Sequence, residues 1–501
     1  MSNVKVEVAK APDQAELQAW CEKHGVTLQN GGYIDLPQGQ AALNDEGIIE
    51  NVRANATRDD IPNLRGSVYQ PATMVFIAGG PTLAQHIDEI KAKCENPAYD
   101  VYTSNRTCLW MLAHGMKPKY HVIIDPQDKK VEDIQYDDDI ELVLGLQCSP
   151  KLFDEAVSKG KRIKKFLAAS TTKRENGETD GVVARSAVTP RNPELIAIGG
   201  GSMAGTRMIY LAFALGYRRI EYYGFDACSV FLPNGVVQNY AYPKARTEAV
   251  LEVEAANGRT FFSTPALARQ AEEIVQLMDK LPGVEVVVHG DSFMSNQVAM
   301  YKELNAPKPY RISPEYKALQ EKFHDDTPHY GTSGAEHASR VFLGAAQILK
   351  SNGRCRVLDY GCGKETLRKA IEESFPHVPG ISISGYDPGR RGFDAEPEKA
   401  EMVVCTDVME HIEPDCVDAV IRHIHDLTEC VAIIDVALQP AQKVLPDGRN
   451  AHICLRPVDW WLSYLRKYFV LIEQASNEHS LLVVGQPIWK WRERMEAKKA
   501  A

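Results

Sequence analysis

Short apolar runs separated by helix-patterned polar stretches recur along the chain from residue 73 onward. The first is TMVFIA, Thr73 to Ala78, followed by a helical pattern from Thr82 and an apolar run near Val101. A helix from Arg106 to His114 and a strand through Val122 to Ile124 come next, then strands at Leu142 to Leu146 and Ile163 to Leu167 around a helix from Pro150. Strands alternating with helices in this way predict a mostly parallel sheet covered on both faces. Between Ser170 and Pro193 the periodicity lapses into polar sequence, which predicts a mobile loop. The alternation resumes with LIAI, a glycine run, a helix from Ser202 to Leu215 stopped by Gly216, and the strand RIEYYG. Asn257-Gly258 inside LEVEAANGRTFF predicts a hairpin. A helix from Pro265 to Lys280 and the strand EVVVHG close this first unit near His289.

A second unit opens with an amphipathic helix whose apolar face is Ala338, Val341, Phe342, Ala345, Ile348 and Leu349, ended by Asn352-Gly353. The expected layout is an N-terminal extension over 1–68 with one or two short helices, a first α/β domain over 69–295, and a linker rich in Pro, Lys, Asp and His over 296–333. A second α/β domain follows over 334–486, then a basic, helix-prone tail over 487–501. The expected fold class is α/β: two Rossmann-like three-layer αβα domains with mostly parallel sheets. No internal repeat is found.

Composition narrows the partners. With 501 residues, 44% apolar and 25% charged, the chain is long enough for two or three ordinary globular domains. A net charge of −10 argues against wrapping nucleic acid as a main task. The eleven cysteines form no C-x-x-C pair, which points to reduced thiols rather than a disulfide framework or a zinc site. The start, MSNVKVEVAKAPDQ, has no apolar core behind a basic end, so no signal peptide is expected. The longest apolar stretch, MIYLAFALGY from Met208, is too short to span a bilayer. A cytoplasmic protein without a membrane partner is the expectation.

The chemistry concentrates in three segments of the second unit. In RVLDYGCGKETLRKAI an apolar strand ends at Asp359, the turn carries Gly361 and Gly363, and a helix starts near Thr366. Glycines there let the backbone approach a cofactor closely, and the helix start offers free N–H groups. In ISISGYDPG a strand ends with Asp387, where an acid can accept hydrogen bonds from ribose hydroxyls. In EMVVCTDVMEHIEP a strand leads to Asp407 and then Glu410-His411. Together these segments resemble the class I S-adenosylmethionine-dependent methyltransferases, particularly the branch related to ubiquinone and menaquinone biosynthesis enzymes.

That resemblance implies S-adenosylmethionine as cofactor. Asp359, Gly361 and Gly363 would border its methionine half, Asp387 would hold the ribose, and Asp407 would lie beside it, with Glu410 and His411 close to the acceptor. Two departures stand out. Glu365 occupies the place where many members have a third glycine, and the short span after Asp387 predicts a shrunken or absent third strand, leaving adenine to rest on the GFDAE loop at Phe393. Alignment of acceptor, methyl and sulfur supplies most of the rate in methyl transfer, so a base is needed only for weakly acidic acceptors. His411 and His452 are the candidate bases. His423 and His425, two apart on a helix, point to different faces and make no metal site. Trp460 and Trp461 are read as packing.

In the first unit, ATMVFIAGGPTLAQHI puts a Gly79-Gly80-Pro81 turn after a buried strand, with Thr82 as N-cap. With TSNR at 103–106, VIIDP ending in Asp125-Pro126, IGGGSMAGTRM from Ile198 and YYGFDA at 222–227, this resembles the MptE-like domain. That domain is named for an archaeal 6-hydroxymethylpterin diphosphokinase and is related to flagellin-modifying motility accessory proteins and a bacterial sialyltransferase family. The resemblance implies that Gly79, Gly80, Pro81 and Thr82 line a nucleotide (ATP or a nucleotide sugar), that Asn105 contacts it, and that Asp125 contacts it or a magnesium ion. Gly200, Gly201 and Ser202 would form a second anion cradle, and Asp226 with Tyr242 would face the acceptor.

Three readings stay open at this stage. One is a bifunctional transferase that modifies a small-molecule or glycan acceptor. Another is a methyltransferase with a non-catalytic nucleotide- or glycan-binding module. The third is a degenerate interaction scaffold, for which Glu365 is the argument.

Overall fold

The computed structural model describes residues 27–29, 33–35, 45–136, 139–168, 195–199, 201, 203–231, 237–238, 241, 251–255, 257–306, 308–375 and 378–500. The loop expected between Ser170 and Pro193 lies outside them, as do Gly200, Ser202 and Tyr242. The chain divides into two compact units, Met1–Leu304 and Asn305–Ala501.

The first unit is built on eight parallel strands: β1 (Thr73–Ile77), β2 (Tyr99–Ser104), β3 (Tyr120–Ile123), β4 (Glu141–Gly145), β5 (Ile163–Ala168), β6 (Ala197–Ile198), β7 (Arg219–Tyr223) and β8 (Glu285–Val288). Their order is β8-β7-β1-β2-β3-β4-β5-β6. The chain therefore grows outward from β1 in one direction and then returns to its other side with β7. Met74 to Ile77 of the central β1 expose no surface, as a parallel strand covered on both faces requires. The expected hairpin is present: Leu251–Glu254 pairs antiparallel with Thr260–Ser263, and Gly258 takes φ +78° at the turn.

The N-terminal boundary differs from expectation. Helix α1 (Asp45–Ala56) belongs to this unit's core, with Val52 and Ala56 packed against Leu146 and Leu167. Asn55 Nδ2 donates to the Leu146 and Cys148 carbonyls at 2.8 Å each. The sequence DEGIIENVRANA is mostly polar, so the helix is held by a short buried stripe, Ile49, Val52 and Ala56, together with the amides of Asn51 and Asn55. Helices α2 (Ala204–Ala214), α3 (Pro265–Lys280) and α4 (Phe293–Leu304) follow. Thr264 caps α3, its hydroxyl accepting from Leu267 N at 3.3 Å with Pro265 at the first helical position.

The second unit has six strands: β9 (Cys355–Tyr360), β10 (Ile381–Tyr386), β11 (Ala400–Thr406), β12 (Thr428–Ala437), β13 (Phe469–Ser476) and β14 (Ser480–Pro487). Their order is β10-β9-β11-β12-β14-β13; β14 runs antiparallel to both its neighbours and the other pairings are parallel. The chain passes from β10 to β11 through 387–399 without a strand, so the third strand expected to be shrunken or absent is absent and β10 is the sheet edge.

Helices α6 (Ala338–Asn352) and α7 (Thr366–Ser374) pack on one face through Val341, Ala345, Leu367 and Ile371. Helices α8 (Val417–Leu427) and α9 (Val458–Tyr468) pack against one another, and Trp460 and Trp461 are both buried there as packing residues. The tail forms α10 (Ile488–Ala500), the helix expected of it.

Residues 296–333 are not a linker. Those up to Leu304 complete α4, and the remainder belongs to the second unit. Within it, α5 (Pro314–Asp326) buries Tyr316 and Phe323, which cluster with Tyr330, Leu445 and Ala451. The anchors are isolated aromatics seven residues apart in polar sequence, a pattern without aliphatic runs. Ten of the eleven cysteines are described and all ten are free. Among the described residues no helix is long and apolar enough to cross a membrane.

Candidate functional site

At the carboxyl end of the second unit's sheet, three adjacent strands deliver acids. Asp359 precedes the end of β9, and Asp387 and Asp407 directly follow β10 and β11. The turn after β9 folds tightly: Gly361 N donates to Tyr386 O at 2.7 Å. Gly361 takes φ +83° and Gly363 φ +47°. A Cβ at the first would run into Val408 and one at the second into the Gly331 carbonyl, so both positions need glycine. Asp387 accepts from Gly363 N at 3.1 Å and Gly389 N at 2.9 Å, and lies 3.8 Å from His324 Nε2. Asp359 is buried behind it. Burial and the neighbouring Asp387 push its carboxyl up to about 7.

Asp407 has φ +54° and sits 3.4 Å from His337 Nε2, a contact that holds Asp407 below the usual carboxylate range and raises His337. One turn on, Glu410 is wholly buried and neither carboxylate oxygen has a hydrogen-bond partner. Burial pushes it up to about 8; the charges of Asp407 and Asp435 add to the shift while nearby main-chain amides oppose it. His411 Nδ1 donates to Ala451 O at 2.8 Å, and His452 Nδ1 donates to Gln439 O at 2.5 Å. Burial, then the neighbouring His452, push His411 down to about 4.

Gly361, Gly363, Asp387, Asp407, His411 and His452 line one cavity of about 560 Å³, with Glu410 at its wall. Sequence reasoning missed its roof. Tyr330 OH donates to Gln320 Oε1 at 2.9 Å, Gln320 Nε2 to Tyr316 OH at 2.6 Å, and Tyr316 OH to His411 O at 2.9 Å. Tyr316, Gln320 and His324 recur every fourth residue, so they share one face of α5; that spacing was the available signal. Lys364 Nζ ties the roof down, donating to Thr327 O and Pro328 O at 2.8 Å each.

Two expectations are corrected here. Phe393 does not line the cavity: the Arg390 guanidinium covers its ring at 4.0 Å, and its carbonyl accepts from Asp387 N. Glu365 adopts the glycine-like φ +57°, but its side chain leaves the cavity to pair with Arg368 at 3.5 Å and Arg390 at 3.8 Å. It adds no bulk to the cavity wall.

In the first unit, the turn after β1 meets the turn after β7. Gly80 N donates to Gly224 O at 2.7 Å. Thr82 N donates to Asp226 Oδ2 at 2.8 Å and the Thr82 hydroxyl to Oδ1 at 2.6 Å. Asp226 is 3% exposed, and burial pushes its carboxyl up to about 6. The expected phosphate cradle of Gly79, Gly80, Pro81 and Thr82 thus holds the chain's own carboxylate, and Asp226 faces Thr82 rather than an acceptor. Gly79 O accepts from Ala241 N.

Asp125 accepts from Gln127 N at 3.1 Å and pairs with Lys130 at 3.3 Å, so an ammonium stands where a metal ion was expected. At the end of β2, Asn105 takes φ +49° and its buried Oδ1 has no partner. Gly201 O accepts from Arg207 Nε at 3.1 Å, and Met203 N at the start of α2 donates to Thr206 Oγ1 at 3.3 Å.

A family model described as 6-hydroxymethylpterin diphosphokinase MptE-like matches residues 46–230, and a methyltransferase domain model matches 329–467. The chain joins an MptE-like domain to a methyltransferase domain. No curated protein matches it. The MAf glycosyltransferase of Magnetospirillum magneticum AMB-1 aligns at 14% identity and TM-score 0.37 over 58% of this chain and 49% of its own, so the chain spans about half the length of that relative. A 1,6-didemethyltoxoflavin N1-methyltransferase from Burkholderia thailandensis aligns at 15% identity and TM-score 0.26, over 36% of this chain and 94% of its own. The magnesium protoporphyrin IX methyltransferase of Synechocystis PCC 6803 aligns at 14% and 0.25, over 34% and 96%. The MptE-like match begins inside α1, in keeping with that helix's place in the first unit's core.

Proposed function

We propose that the methyltransferase domain uses S-adenosylmethionine to methylate a small-molecule or glycan acceptor. One observation carries this reading: Asp387 and Asp407, from the ends of parallel strands on either side of β9, open into the same cavity as the two-glycine turn between them. Crevices outside the carboxyl ends of such strands are where open α/β sheets take ligands. The residues present fit the donor. Asp387 spends one lone pair of each oxygen on Gly363 and Gly389, leaving the others for ribose hydroxyls. The glycine turn admits a close backbone approach, and the unpartnered Nδ1 of His324 and carboxylate of Glu410 mark polar atoms still awaiting partners.

When bound, the sulfonium supplies an activated methyl group; the chain's task is to align and desolvate. Asp387 and the 361–363 turn hold the donor's body, the α5 roof excludes water, and His411 and His452 face the acceptor end. For the MptE-like domain we propose nucleotide or nucleotide-sugar recognition, with Asn105 rather than the 79–82 turn as the contact. The unpartnered Asn105 Oδ1 supports that choice.

Calorimetry with S-adenosylhomocysteine tests the first reading. Binding at micromolar affinity, weakened about tenfold to a hundredfold in Asp387→Ala by loss of a charged hydrogen-bond acceptor, is the expected result. No binding by the intact chain overturns it. Titrating nucleotides and nucleotide sugars with and without magnesium tests the second: turnover marks a transferase, binding alone a receptor, and neither removes the proposal.

A further inference from the structure

Glu410, His411 and His452 place one carboxylate and two imidazole ligand atoms within 4.8 Å of one another at the inner wall of the methyltransferase cavity. It is the one such group of three among the described residues. Three features separate it from an incidental cluster of polar side chains. Glu410 is 0% exposed, yet neither oxygen finds a hydrogen-bond donor; a native protein seldom buries a carboxyl group unless something is meant to meet it. Each histidine spends its Nδ1–H on a main-chain carbonyl, Ala451 O for His411 and Gln439 O for His452. That arrangement fixes the tautomer and leaves Nε2 of both rings as the lone-pair nitrogen, the second-layer support that ligating histidines characteristically have. His452 Nε2 also lies 3.9 Å from Glu410 Oε1, near enough for the two atoms to reach one ion.

We propose that Glu410, His411 and His452 form a divalent-cation site at the inner wall of the cavity. Two imidazoles and one carboxylate favour a first-row transition ion such as Mn²⁺, Fe²⁺, Co²⁺ or Zn²⁺ over magnesium or calcium, which prefer all-oxygen sets. Metal–ligand bonds of about 2.0–2.2 Å set ligand atoms roughly 3–4 Å apart, so the side chains need only small adjustments to close on an ion. Three protein ligands leave coordination positions open toward the cavity, and a cation there orients an oxygen acceptor and lowers the cost of removing its proton to solvent. The site also gives His411 and His452 a task other than the bases that sequence reasoning made them.

This inference rests on the cavity being the methyltransferase site, and the experiment separates the two claims. The full chain, stripped with chelator, is titrated with Mn²⁺ and the free ion is followed by electron paramagnetic resonance, with Zn²⁺ competition and metal content by mass spectrometry. One ion per chain is expected, with affinity falling at least about tenfold in Glu410→Gln and in His452→Asn. Circular dichroism and thermal melts report whether each variant folds, and a rise in Tm with Mn²⁺ in the wild type alone is the second readout. No stoichiometric ion in the wild-type chain, or equal binding in both folded variants, overturns the site. S-adenosylhomocysteine binding by the metal-free chain is measured alongside. Donor binding without a cation defeats this inference only; a cation without donor binding defeats the donor reading only.

Discussion

Replacing Asp226 by Asn should stabilise the MptE-like domain at neutral pH and flatten its response to acid. Asp226 accepts the Thr82 N–H and hydroxyl, yet burial still pushes it from 3.8 to about 6. With the folded value above the unfolded one, the native state holds a proton that the unfolded state releases. The stability this contributes is complete below about pH 4 and is lost as pH rises through 6. At about 1.4 kcal/mol per pKa unit, the ionised carboxylate costs on the order of 3 kcal/mol at pH 8. Asparagine keeps the geometry: its carbonyl accepts from Thr82 N and its amide donates to Thr82 Oγ1. The variant should therefore be more stable than wild type by about 2–3 kcal/mol at pH 8 and by under about 1 kcal/mol at pH 4. Urea unfolding read by pulse-labelling mass spectrometry of peptides from residues 73–95 isolates this domain. A variant less stable than wild type at pH 8, or an equal difference at both pH values, would refute the assignment of Asp226 as an inward-facing cap.

Glu365→Gly should raise the Tm of the methyltransferase domain, worth about 0.5–1 kcal/mol, because a non-glycine residue at φ +57° is strained while its ion pairs are half-exposed and weak; a lower Tm would show those pairs matter more than the strain. Asn55→Ala should cost the first unit about 2–3 kcal/mol by leaving two buried carbonyls without a donor, measured in the same urea assay; no change would detach α1 from the core. Trp461→Ala, at a fully buried site, should cost about 3–5 kcal/mol in thermal melts of the second unit, and a loss below 1 kcal/mol would contradict its packing role.

Most strands were legible because buried parallel strands are continuous apolar runs. TMVFIA and EMVVC need no partner to be recognised, and the brief span from Asp387 to Ala400 already left no room for a third strand in the second sheet. The acids at strand ends were legible for the same reason, since a strand's end fixes where the next residue points. What stayed hidden depends on distant pairing. Nothing in GGPT announces that its N–H groups are taken by an acid 144 residues on. Polar sequence conceals order too: α1 is held by Asn55 beside a short apolar stripe, and α5 by Tyr316 and Phe323, apolar anchors isolated among charged residues. Glu365 looked obstructive by position alone, and only its side-chain direction shows that it turns away.

The roof helix has a practical corollary for anyone excising the catalytic half. The recognisable domain match starts at residue 329, downstream of α5. A fragment cut there keeps every strand and both glycines of the turn, but loses the tyrosine and glutamine that bridge Tyr330 to His411 over the cavity. Such a piece would leave its chamber unlidded and bare Tyr330, Leu445 and Ala451, so an inactive truncation would say more about where the scissors fell than about the chemistry of the intact chain.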